Sequence, residues 1–376
     1  MMKRLANGER LTDLCREYGI SRKTGNKVKK RFDELGITGL ADKSRAPKVI
    51  PHKSSRELVE LVVAERNKHP TWGPKKIKEV LERRLGNKLP SISTVGCVLL
   101  RNGLVTPRKV RLRHKSTTAM TLRPALVPND VWCIDYKGQF RLGDGTYCYP
   151  LTITDQCSRF ILGCEGMGAI SDEEAREVCE SIFRTFGLPL AMRSDNGVPF
   201  SSVGLGGLTK LSAYWLRLGI ALERIRPAHP EENGQHERMH RTLKAETTRP
   251  AKTNLLQQQE RFDAFVDEFN QERPHEAINM KFPADVFVPS SRAHPKNLPE
   301  LDYPTHDDVV VVNRYGHLRF GGRQVQLTSA LAGQPVGVRE EMDGRWLVSF
   351  ASLDLGHVER DRTFTPINPS VPPDAN

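Results

Sequence analysis

Long apolar runs are missing from this sequence. No stretch approaches the roughly 18 consecutive apolar residues that a membrane-spanning helix needs, and the opening MMKRLANGER lacks the apolar centre of a signal peptide. The chain is therefore expected in the cytoplasm, with no membrane among its partners. Paired-cysteine motifs are missing too. The seven cysteines are an odd number, none stands in a C-x-x-C pair, and most sit in apolar runs, which argues against a cysteine zinc site and for reduced, buried thiols. Acidic residues are scarce in one region only. Residues 1–115 hold 29 Lys+Arg against 11 Asp+Glu, net +18, whereas residues 116–376 hold 28 against 34, net −6, within a 376-residue chain of net charge +12. Charge needed only for solubility would spread evenly. A polyanionic partner is expected at the N-terminal third, nucleic acid before anionic membrane.

Within that third, Leu11 to Phe32 reads as two short helices broken at Gly19-Ile20, with Ser21 capping the second. This is helix-turn-helix spacing, and the second helix would present Arg22, Lys23 and Lys27, with Lys29, Lys30 and Arg31, to DNA. Leu11, Leu14, Cys15, Val28 and Phe32 would face inward. Gly25 runs against the assignment, since a mid-helix glycine costs about 1 kcal/mol relative to alanine. After a linker at Ala41 to Lys53, a second helical block is expected from Arg56 to Arg101. Trp72-Gly73-Pro74 opens one of its helices, Lys75 and Lys76 stand at the front of that helix as DNA contacts, and Ser93-Thr94 opens another. A basic linker follows at 107–124.

From Val131 the pattern changes to short β-branched runs. Three strands, a helix from Ser171, a strand at Leu190 to Arg193, a helix near Leu208 to Leu218, a strand at Ile220 to Ile225 and a helix from Asn233-Gly234 describe a mixed sheet with helices on both faces. Asp135 interrupts an apolar strand and Asp195 ends another. Carboxylates in such places are costly unless paired or bound to metal. Glu237, Arg241 and Lys244 share a face of the later helix at i, i+4 and i+7, so one carboxylate and two cations stand together. Hard oxygen ligands suit magnesium, and phosphodiester chemistry uses two such ions.

Four motifs in order, Trp132-x-x-Asp135, Ser194-Asp195-Asn196-Gly197-x-Pro199-Phe200, Asn233-Gly234-x-x-Glu237-Arg238-x-His240-Arg241-Thr242-Leu243-Lys244 and Arg273-Pro274-His275, strongly resemble the bacterial insertion-sequence transposases with a retroviral-integrase-type core. The resemblance covers nearly the whole chain. It implies a ribonuclease-H-like core and a D-D-E triad carried onto Asp135, Asp195 and Glu237, both as catalytic residues and as ligands of two Mg2+ or Mn2+ ions. It further implies terminal inverted repeats and target DNA as partners, a homo-oligomer of at least two chains on DNA, and a nucleoid-associated bacterial location. Counting about 35 residues beyond Asp195 lands instead on Glu231, but Glu231 stands where the resemblance expects glutamine, and Val203 to Lys210 lengthens the interval as a loop, so Glu237 is taken over its alternatives Glu231 and Glu232.

Two other readings remain open. His236-Glu237-Arg238-Met239-His240 satisfies the H-E-x-x-H pattern of zinc metalloproteases, with Glu260 as a third ligand. A non-catalytic DNA-binding regulator derived from a transposase is the other. The Gly204–Gly207 stretch is no phosphate loop, because Thr209-Lys210 reverses the order such a loop requires. Leu255 to Asn270 is expected as an amphipathic helix with Phe262, Phe265, Val266 and Phe269 inward, and the strands from Val309 onward suit a small SH3-like β-barrel. The fold class expected is thus multidomain α+β. Its parts are helix-turn-helix modules at 1–45 and 54–106, a ribonuclease-H-like mixed-sheet core at 125–288, a linker at 289–304, the barrel at 305–364 and a disordered tail at 365–376.

Overall fold

The computed structural model describes residues 1–42, 54–105, 122–226, 229–320, 322–361 and 363–367, in two compact units, 1–59 and 60–376. Most of the expected basic linker and tail lies outside the described residues.

In the first unit, α1 (Met2–Ala6), α2 (Leu11–Glu17) and α3 (Arg22–Leu35) are short helices. Ser21 caps α3 by accepting a hydrogen bond from Thr24 N at 3.1 Å. Leu14 and Cys15 are buried, while Leu11, Val28 and Phe32 are half-buried. Gly25 is the buried residue of α3, and a Cβ there would lie 2.2 Å from Cys15 Sγ. Its propensity cost is thus offset by the close approach of α2 and α3 that only glycine allows. Arg22, Lys23 and Lys27 stand on the exposed side.

The helical block that follows has three helices, α4 (Arg56–Lys68), α5 (Pro74–Leu85) and α6 (Ile92–Arg101). Pro74 occupies the first turn of α5, where its missing N–H costs nothing. The cap of α6 is Ser91, two residues earlier than expected, and its hydroxyl accepts from Thr94 N at 3.3 Å. Trp72 is wholly buried and stacks on His69 at 3.7 Å.

The central sheet contains β1 (Val131–Tyr136), β3 (Tyr147–Asp155), β4 (Ile161–Met167), β5 (Ala191–Ser194) and β6 (Ala221–Arg224), with the two-residue β2 (Phe140–Arg141) pairing the start of β3. Order runs β4-β3-β1-β5-β6, antiparallel across β4-β3-β1 and parallel across β1-β5-β6. This is the mixed sheet of a ribonuclease-H-like core. Alternation along β3 sends Leu151 and Ile153 to a core shared with α7 (Asp172–Phe186) and α8 (Lys210–Arg217). Thr152 and Thr154 face the opposite side, toward α9 (Gly234–Thr247). There Leu243 of α9 packs with Phe262, Phe265 and Phe269 of α10 (Leu255–Gln271), as the spacing of the phenylalanines predicts.

A one-turn helix, α11 (Pro283–Val286), precedes the C-terminal strands. They are β7 (Asp308–Val311), β8 (His317–Phe320), β9 (Arg323–Gln326), β10 (Pro335–Glu340), β11 (Trp346–Phe350), β12 (Leu353–Val358) and β13 (Phe364–Pro366). Five form an antiparallel sheet, β13-β12-β11-β10-β7, and β8-β9 is a hairpin. Among the described residues this pairing runs in an open order and does not close on itself. The module shares a core with the outer face of α8 through Ala213 and Leu216.

Among the described residues no helix is long and apolar enough to cross a membrane. Five of the seven cysteines are buried, Cys157 is half-buried and Cys97 is exposed; all are free thiols.

Candidate active site

Asp135 is the fifth residue of β1 and pairs with Thr152 across the antiparallel ladder. Asp195 follows directly on β5, the parallel neighbour of β1. Chain order separates the two carboxylates by 60 positions, and strand adjacency brings them together. Burial first, then the charge of Asp195 and, further down, that of Glu237, push the Asp135 carboxyl up to about 7. A shallow cleft of about 410 Å³ is lined by Asp135, Lys137, Glu237, His240, Arg241 and Lys244, with Tyr136. The structure therefore brings Asp135, Glu237, Arg241 and Lys244 to one surface. Asp195 stands beside that cleft and acts on Asp135 through its charge.

Several elements hold this arrangement. Asp195 Oδ1 accepts from Gly197 N at 3.0 Å, and a Cβ on Gly197 would come within 3.1 Å of Asp195 Oδ2, so the turn is built around the carboxylate. Phe200 is buried and stacks against Tyr136 and Trp215, tying the loop after Asp195 to β1 and α8. Arg193, 1 % exposed, donates to Glu223 Oε2 at 2.9 Å and joins β5 to β6. That buried pair lies one residue upstream of Ser194-Asp195 and was not signalled by the sequence.

Beneath the cleft lies a polar cluster whose two histidines the sequence offered as a zinc pattern and, for His240, as part of the transposase-like motif. Thr152 Oγ1 lies 3.0 Å from Asp135 O, 2.8 Å from His236 Nε2 and 2.7 Å from His240 Nε2, while Thr154 Oγ1 lies 2.9 Å from His236 Nδ1. One set of proton positions satisfies every contact. Thr152 donates to the Asp135 carbonyl and accepts from both Nε2–H groups, and Thr154 donates to His236 Nδ1. Burial holds His236 at about 3, and burial with the neighbouring His236 holds His240 at about 2, so both rings are neutral. His240 Nδ1 then faces Asp135 Oδ2 at 3.7 Å. Asp135, His236 and His240 are close enough for one ion, with ligand atoms within 4.8 Å of one another. Both Nε2 atoms, however, carry protons directed at Thr152. A zinc pair in H-E-x-x-H needs free lone pairs, and Glu260 is exposed and outside this group.

Glu232, the nearby alternative to Glu237, is buried and holds Arg226 through Nε at 2.6 Å and N at 2.8 Å. Those bonds keep its carboxyl below the ordinary range despite burial. Of the remaining candidates, Lys75 pairs with Glu276 at 2.8 Å, and Lys76 is largely buried near Arg273, with burial first and Arg273 next lowering it to about 7. Lys75 thus stands exposed in a surface ion pair, and Lys76 is the more enclosed of the two. The Gly204–Gly207 turn is structural, since Arg224 donates to Gly206 O at 2.9 Å and Gly207 O at 3.0 Å.

Comparison with known proteins follows this layout. Residues 126–230 and 218–283 each match a family described as integrase core domain. The chain carries an integrase core domain. Its relatives include a protein of an insertion element and retroviral polyproteins, in keeping with the resemblance drawn from the motifs. Residues 24–99 match a homeodomain-like domain, which places a helix-turn-helix fold in the N-terminal third. An uncharacterized 31.7 kDa protein of insertion element IS407 from Burkholderia multivorans is 26% identical over 49% of this chain and 65% of its own length. The Gag-Pol polyprotein of baboon endogenous virus is 31% identical over 32% of this chain and 7% of its own length. The chain thus spans less than two thirds of these curated relatives. The HTLV-2 integrase catalytic core domain in complex with magnesium aligns over 44% of this chain and 100% of its own, at 15% identity and a TM-score of 0.35.

Proposed function

We propose that this chain is a DNA transposase of the integrase-core type, cutting the ends of a mobile element and joining them to target DNA. The observation that carries the reading is the convergence of Asp135, Glu237, Arg241 and Lys244 on one cleft, with Asp195 at the adjoining strand end. A purely structural role does not account for two carboxylates and two cations on one cleft, where burial first and then the charges of Asp195 and Glu237 push the Asp135 carboxyl up to about 7.

The donor set fits magnesium or manganese. Carboxylate oxygens are hard ligands, and their mutual repulsion is what a divalent cation relieves. Asp135, Asp195 and Glu237 would hold two such ions, which would supply an activated oxygen nucleophile and stabilisation of the leaving oxygen. Arg241 and Lys244 would position the phosphate, and Lys137, just beyond the end of β1, adds a third cation. Thr152 would fix the backbone of Asp135 from below through its hydrogen bond to the Asp135 carbonyl. Arg22, Lys23 and Lys27 on the exposed side of α3 would grip the terminal inverted repeats, with at least two chains needed to pair two ends. The C-terminal strands, in this reading, form a small SH3-like module beside α8. The regulator alternative differs in one respect, that it needs no chemistry.

The test is a joining assay on duplexes bearing the element's ends, with wild type and Asp195→Asn in magnesium. Wild type is expected to give joined product and the variant at least about a hundredfold less, several kcal/mol of lost metal-assisted stabilisation, with duplex affinity retained. Equal behaviour of the two proteins would support the regulator instead.

A further inference from the structure

The opposite side of α9 closes a second cavity, of about 220 Å³, away from the acidic cleft. Its wall includes Lys76 from α5, Arg159 from the turn after β3, Gln235 and Arg238 from α9, and Arg273 and His275 from the segment after α10. Basic groups thus arrive from four separate parts of the fold.

Their usual counter-charges are occupied. Asp155, also in the wall, accepts from Asn129 N at 2.8 Å and from Ser158 N and Oγ at 2.7 and 2.6 Å. Glu246 holds Arg273 at 3.0 Å. Among the described residues Arg159 and Arg238 have no ion pair or side-chain hydrogen bond, and Arg159 Nε and His275 Nε2 are buried without partners. The cations also act on one another. After burial, Arg238 lowers Arg159, Arg273 lowers Lys76, and Lys76, Arg273 and Arg159 together lower His275. A concave site that gathers like charges, leaves the side-chain donors of Arg159 and Arg238 unused and has Met239 and Phe269 in its wall is built for an anion. Guanidinium forks match the paired acceptor oxygens of a phosphate.

We propose that this cavity seats a phosphate group, with Arg159, Arg238 and Arg273 as its donors. One source is a backbone phosphodiester of DNA crossing α9, which rests on the transposase reading; the other is free inorganic phosphate, which does not. A DNA phosphate here would let α9 hold the strand on one side while presenting Glu237, Arg241 and Lys244 on the other.

Two measurements on the full chain separate these sources, each with Arg159→Gln and with Arg238→Gln, the latter an exposed helix position whose change leaves folding intact. Thermal melting in inorganic phosphate against chloride at equal ionic strength reports the free anion. Duplex binding by fluorescence anisotropy across a salt series reports DNA. A fall in duplex affinity of about tenfold, with the salt slope reduced by about one, assigns a DNA phosphate. Loss of phosphate-specific stabilisation in the variants, with duplex binding unchanged, assigns the free ion. If both variants match wild type in both measurements, the cavity is no phosphate seat. Neither measurement depends on cleavage, so failure of the strand-transfer reading leaves this test standing.

Discussion

At the scale of single residues, the environment of Asp135 has a consequence for stability. Its carboxyl sits at about 7, above the ordinary value of 3.8, so the folded protein binds more protons than the unfolded chain between those limits. The protonated form therefore favours folding below about pH 4, and this contribution is lost as pH rises through 7. Asp135→Asn, measured by denaturation without metal, is expected to gain on wild type by a few kcal/mol between pH 4 and 8. Parallel curves for the two proteins would contradict the assignment. Thr152 gives a second residue-scale expectation. Thr152→Val leaves two buried imidazole N–H groups without an acceptor and should cost about 2–4 kcal/mol, whereas Thr152→Ser keeps the hydroxyl and most of the stability. Asp135 stood out in the sequence as a carboxylate inside an apolar strand, whereas its grouping with Asp195 and Glu237 as a triad came from the motif resemblance and belongs to the proposed function. The Thr152, His236 and His240 cluster was not, since its members lie 84 and 88 positions apart and meet only through the packing of α9 on β3.

At the scale of elements, α2 and α3 illustrate why local propensity is an incomplete guide. Gly25 reads in sequence as a flaw in a helix, yet it is where the two helices touch. Gly25→Ala improves helix propensity by about 1 kcal/mol but places a methyl against Cys15 Sγ, and overpacking of this kind costs about 1–3 kcal/mol. The net expectation, read by thermal melting, is destabilisation, with Cys15→Ala restoring much of it in the double variant. Independent, additive effects would mean that the two residues do not touch. The central sheet was readable from its alternation. The two-residue β2 was not, being too short for any periodicity, and the later strands revealed their number only through pairing.

At the scale of the whole molecule, the charge division between the N-terminal third and the rest pointed to separate binding and chemical parts, but it could not say which lysines are free. Arg22, Lys23 and Lys27 are exposed on α3, whereas Lys75 is paired with Glu276, 201 positions away. Replacing Arg22, Lys23 and Lys27 together with glutamine is expected to reduce the salt slope of duplex binding by up to about three, and Lys75→Gln to leave it unchanged. The reverse order would mean that α5 meets DNA and its pairing with the core opens on binding. Counting residues at the front of a helix cannot detect a partner from the far end of the chain.

The central claim is that one acidic site, completed by Glu237, does the chemistry. Its most direct measurement is the yield of joined product, in magnesium, from wild type, Glu237→Gln and Glu232→Gln on the same labelled duplex. Glu237 faces the cleft with Asp135, and Glu232 is committed to Arg226. The expected result is loss of product by at least about a hundredfold for Glu237→Gln, with Glu232→Gln still joining DNA. Persistent joining by Glu237→Gln, or its loss only in Glu232→Gln, would contradict the assignment.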